Sequence, residues 1–82
     1  MTFRDFVVRF VEAKDGDILK EEGGWWDEDE VLVDANVDVL TAITTMMHEV
    51  VERFLELEMG YEHEQAHKIA CKVEECLLSE LR

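Results

Sequence analysis

Residues 37–81 read VDVLTAITTMMHEVVERFLELEMGYEHEQAHKIACKVEECLLSEL, and the glycine at position 60 divides the stretch into two segments of helical period. On the first, Leu40, Ile43, Met47, Val50, Val51, Phe54 and Leu55 recur at the spacing of one helix face. On the second, Ala66, Ile69, Ala70, Val73, Cys76, Leu77 and Leu81 do the same. The pattern predicts a helix from about Val37 to Met59, ended by Gly60, and a last helix beginning near Glu62. Asp34 or Asn36 is placed to cap the first. A break this short makes the pair an antiparallel hairpin.

The hairpin carries all three histidines of the chain, His48, His63 and His67. His48 stands four residues before Glu52, and His63 four before His67, the interval that stacks side chains on one helix face. Glu52 lies eight residues before Gly60 and His67 seven after it. At ~1.5 Å rise per residue both sit ~10 to 12 Å from the turn. The same count sets His48 level with Cys71, and Glu56 level with His63 or Glu64. Each pair falls on one shoulder of its apolar stripe, and in an antiparallel hairpin these shoulders face each other. Four side chains with metal-binding chemistry thus converge on one flank. Cys71, level with His48, is a further ligand candidate.

His48-Glu49-Val50-Val51-Glu52 resembles the helix of the zincin metallopeptidases, in which HExxH supplies two ligands and a glutamate base. His48 matches the first histidine, Glu49 matches the base, and Glu52 replaces the second histidine. The resemblance implies a minimal zincin-like core, with His67 as the distal ligand and a fourth position left for water, His63 or Cys71. It implies zinc first. Iron or manganese are the alternatives, because a carboxylate ligand favours harder ions. HEVVERFLELEMG and AHKIACKVEE also resemble small uncharacterised archaeal and phage proteins that carry an HExxE helix, a glycine turn and an AHxxA helix. That likeness covers roughly residues 31 to 80. A catalytic version of the site would use Glu49 as proton acceptor in a metal-dependent hydrolysis.

Two other readings stay open. Glu64-Gln65-Ala66-His67 with Glu49 or Glu52 would, in a dimer, supply the ligand set of a two-metal carboxylate bundle. Alternatively, Met46, Met47 and Met59 with Trp25 and Trp26 form an apolar patch of an acidic interaction module that selects a basic protein partner without metal. A homodimer would cover apolar surface that a thin hairpin leaves open.

Before the hairpin, Val31-Leu32-Val33 reads as a short strand. The segment from Thr2 to about Lys14 places Phe3, Phe6, Val7, Phe10 and Val11 at i, i+3, i+4, i+7 and i+8, which predicts a helix capped by Thr2. A strand is the alternative there, since Phe6, Val8 and Phe10 would share one face. Residues 15 to 30 read as an acidic, turn-rich connector. In it Trp25 and Trp26 act as a core lid and a surface ring, and Asp15-Gly16-Asp17 lacks the ligand order of an EF-hand loop. The expected architecture is a single α+β domain over residues 1–82, mostly helical, with an N-terminal helix, one short strand and the hairpin. An all-α fold is the alternative.

The chain has 82 residues, 21 acidic and 8 basic, for a formal charge of −13. Such a surface repels phosphate backbones and anionic lipid, so neither nucleic acid nor membrane is an expected partner. No apolar run approaches the ~18 residues of a spanning helix, and the first residues do not form a signal peptide, so the expected setting is the cytoplasm. Cys71 and Cys76, five apart on one helix, point to different faces and are expected as free thiols.

Overall fold

A computed structural model describes residues 5–81. Along the chain run β1 (Val7–Val11), α1 (Ile18–Glu22), β2 (Gly24–Trp26), β3 (Glu30–Asp34), α2 (Val39–Leu57) and α3 (His63–Leu81). The mixed α+β class holds, and the three-stranded sheet excludes the all-α alternative. No helix among the described residues is long and apolar enough to cross a membrane.

The N-terminal expectation is corrected. Residues 7–11 form a strand, while Thr2 and Phe3 lie outside the described residues. Helical and alternating patterns coexist in this segment, so its local sequence does not decide between them. A distant partner decides: β3 is the central strand, in the order β1-β3-β2, and its ladder needs a neighbour on each side. β1 runs parallel to β3 from Val7↔Glu30 to Val11↔Asp34, and β2 runs antiparallel to it from Gly24↔Val33 to Trp26↔Val31. The connector is likewise more ordered than expected, containing both α1 and β2.

The core lies between β3 and α2. Val31 and Val33 are fully buried against Ala42, with Val8, Trp26, Met46 and Val50 around them. Trp26 is the lid and Trp25 the exposed ring, as the doublet suggested. Asp38, not Asp34 or Asn36, precedes the first turn of α2. Asp34 instead ties the end of β3 to the chain leaving β1. Its Oδ1 accepts from the backbone N–H of Asn36 at 2.8 Å and from that of Ala13 at 3.3 Å. Gly60, at φ 72°, takes the left-handed conformation that ends the helix, and the Tyr61 N–H reaches the Leu55 carbonyl at 2.9 Å.

α3 packs along α2 through Ala66 and Ala70, both fully buried. Such small side chains favour a close approach of the two helices. α2 is therefore sandwiched, with β2 and β3 on one side and α3 on the other. This changes which of its faces is interior. The buried residues of α2 include Thr44, His48, Glu49, Glu52 and Arg53, whereas Ile43, expected in the apolar stripe, is exposed. Of the site candidates, His48, Glu49 and Glu52 therefore lie on the packed side of α2, whereas His63 and His67 of α3 are exposed and Cys71 is half-buried. Buried Arg53 is satisfied by the Asp27 carbonyl, at 2.9 Å, and the Glu28 carbonyl, and its guanidinium lies 4.2 Å from the centroid of Phe6.

Candidate metal centre

Where α2, α3 and the β2 edge meet, a cleft of ≈ 580 Å³ opens. Its floor is made by Thr45, His48, Glu49 and Glu52 of α2, and its walls by Trp25 and Trp26 of β2 and by His63, His67 and Glu74 of α3. Ile18 and Glu22 of α1 complete the rim. Four lining residues are glutamates, and no lysine or arginine lines the cleft among the described residues.

Glu52 is the centre of the arrangement. Its Oε2 lies 3.1 Å from His48 Nε2 and 2.9 Å from His67 Nδ1, so the side-by-side placement of Glu52 and His67 expected from the turn is observed. Its Oε1 accepts from the Trp26 indole N–H at 3.0 Å. Burial works against the Glu52 charge. The Trp26 and His67 hydrogen bonds and the fields of His48 and His63 outweigh it and hold the carboxyl below its ordinary range.

His48 has a carboxylate at each ring nitrogen, with Glu74 Oε1 2.7 Å from Nδ1 and Glu52 Oε2 3.1 Å from Nε2. A neutral imidazole has a single N–H. With that hydrogen on Nδ1 and donated to Glu74, the Nε2 lone pair faces the Glu52 oxygen. The edge between them then requires a proton or a cation.

The His67 ring is shared similarly: Nδ1 faces Glu52, and Nε2 lies 3.5 Å from Cys71 Sγ. Cys71, His48 and His67 present ligand atoms within 4.8 Å of one another. The Cys71 thiol is pushed up by burial and by the negative charges of Glu74, Glu75 and Glu52, which disfavours the thiolate that binds metals. Both cysteines are free thiols. His63 sits one turn before His67, its ring stacked at 6.0 Å, and its Nδ1 lies 2.9 Å from Glu56 Oε2, the partner expected for it. That hydrogen bond raises the His63 pKa against a smaller opposing effect of burial. Glu64 is exposed and does not line the cleft.

Glu49 is 9% exposed and makes no hydrogen bond or ion pair with another described residue. Loss of solvent, reinforced by the Glu52 charge, pushes its carboxyl up to about 7, against the opposing influence of His48 and His67. A carboxyl tuned in this way can take up and release a proton near neutrality.

Sequence reasoning missed Glu74 and Trp26 as members of the site. Glu74 had a readable signal, lying two helical turns beyond His67 on the same face and nearly level with His48 across the turn. Trp26 had none, because its approach to Glu52 depends on the β2–β3 pairing. Compared with known proteins, the chain matches no family model, no curated protein and no solved structure.

Proposed function

We propose that this chain is a metal-binding protein whose ion is held by His48 Nε2, Glu52 Oε2 and His67 Nδ1, with at least one position left for water. The observation that carries this reading is the placement of His48 between Glu74 and Glu52, 2.7 and 3.1 Å away. One imidazole hydrogen serves only one of the two, and a divalent cation at the other edge satisfies both. Neighbouring ligand atoms of a tetrahedral ion with ~2.1 Å bonds lie about 3.4 Å apart. The 2.9 and 3.1 Å spacings around Glu52 Oε2 need only a small expansion to admit one. Glu74 on His48 and Trp26 on Glu52 are the outer hydrogen bonds that orient ligands in metal centres. Zinc leads as the ion, with iron or manganese suited to the carboxylate-rich surroundings.

The ion would lower the pKa of a bound water. Glu49 is the group that accepts its proton and hands it to a leaving group, which makes amide or ester hydrolysis the reaction class of a zincin-like site. The cleft lies within the usual size range of small-molecule sites. Its glutamates disfavour an anionic substrate, while exposed Trp25 offers an apolar contact.

The test is elemental analysis of tag-free protein purified without added metal or chelator, beside His48→Ala and His67→Ala. At least one zinc, iron or manganese per chain is expected, with His48→Ala and His67→Ala each losing the ion they hold. A native chain that stays metal-free after reconstitution at neutral pH sinks the reading.

A further inference from the structure

We propose that the cleft takes a second cation, held by Glu56, His63 and the remaining oxygen of Glu52, so that Glu52 bridges two ions. The inference rests on the metal-binding reading above.

Glu52 divides its oxygens between two histidines of α3. Oε2 faces His67 Nδ1 at 2.9 Å, and Oε1 lies 3.9 Å from His63 Nδ1. The two rings stand on successive turns, inclined by only 28°, and both turn Nδ1 toward the same carboxylate. Glu56, one turn beyond Glu52, brings Oε2 to 2.9 Å from the same His63 nitrogen. Ligand atoms of Glu52, Glu56 and His63 all lie within 4.8 Å of one another, a group separate from the His48, His67 and Cys71 set. A carboxylate has about four lone-pair positions, so the Trp26 indole on Oε1 leaves that oxygen able to bind a cation as well. An ion on each oxygen would give the ~3.5–4 Å separation of two-metal hydrolytic centres.

Charge favours the second ion. Glu22, Glu49, Glu52 and Glu74 line the cleft, and Glu56 stands beside Glu52 on the next turn of α2. One divalent ion leaves this set of carboxylates in large excess. The His63 side chain is 69% exposed against 11% for His48, so the second ion is the one water reaches. It fills later and leaves first under a chelator.

The deciding experiment is equilibrium dialysis of chelator-stripped protein against Mn(II) alone and, separately, Zn(II) alone, with electron paramagnetic resonance of the manganese samples. Two ions per native chain are expected, giving an exchange-coupled manganese spectrum. His63→Ala and Glu56→Gln should each hold one uncoupled ion. Because the His63 side chain is 69% exposed and Glu56→Gln is nearly isosteric, circular dichroism of the variants should match the native chain. One ion per native chain overturns the second site and leaves the first intact, and so do two ions in the native chain with two in both variants. No ion in any sample overturns both proposals.

Discussion

Glu49 owes its place to the residue opposite. A Cβ on Gly24 would lie 2.6 Å from Glu49 Cγ and 2.9 Å from Oε1, so the glycine lets this side chain lie across β2. Deprived of water there, the carboxyl is lifted from 4.5 to about 7. Between those values the folded chain binds more protons than the unfolded one, so this group's contribution to stability is complete below pH ~4.5 and is lost as pH rises through about 7. Glu49→Gln removes that loss. In chelator, urea unfolding should find the variant more stable than the native chain at pH 8, by up to roughly 3 kcal/mol, and the advantage should shrink toward pH 4. Equal stability at both pH values would contradict the burial argument. The juxtaposition of the candidate ligand side chains was legible at this scale. Counting from Gly60 set Glu52 beside His67 and Glu56 beside His63, because helical rise is the same on both arms. The count said nothing of Gly24 or Trp26, whose positions depend on strand pairing.

Elements were legible where their period was unambiguous. α2 and α3 fall within two residues of their expected limits, since glycine and the helical spacing speak to the same boundary. β1 was not legible, because phenylalanine and valine satisfy either period and only β3 distinguishes them. The inward face of α2 was also hidden. An apolar stripe identifies the interior of a helix with one packed side, whereas α2 is covered on two. That double cover makes the α2–α3 separation a critical dimension of the site. Ala70→Leu should force the helices apart, lower stability by about 1–3 kcal/mol and weaken metal binding more than tenfold, read from urea midpoints and metal titration. Cys76→Ala, at an exposed position of α3, is the matched control and should alter neither.

At the scale of the whole molecule, 82 residues with a formal charge of −13 hold together against their own repulsion. Metal-free protein should therefore melt a few degrees higher when sodium chloride is raised from about 0.05 to 0.5 M, as screening shortens that repulsion. Zinc or manganese at 100 times the dissociation constant of the His48 site should draw ~2.7 kcal/mol from that site at fixed ionic strength, a share that His48→Ala lacks. Differential scanning calorimetry separates the gradual effect from the specific one. Equal responses of native and variant chains to the divalent ion would mean that it does not bind at the His48 site.

The parallel pairing of β1 with β3 bears on the order in which the chain assembles. Joining Val7 to Glu30 closes a loop of 23 positions, whereas α2 and α3 meet across the tight turn at Gly60. Contacts near in sequence form faster, because less chain entropy is lost in closing them. His48, Glu52, His67 and Glu74 all come from the early-forming half. If the chain binds metal as proposed, the nascent hairpin would capture its ion before the sheet exists, and Trp26 and the strand beside it would then fold onto a loaded centre.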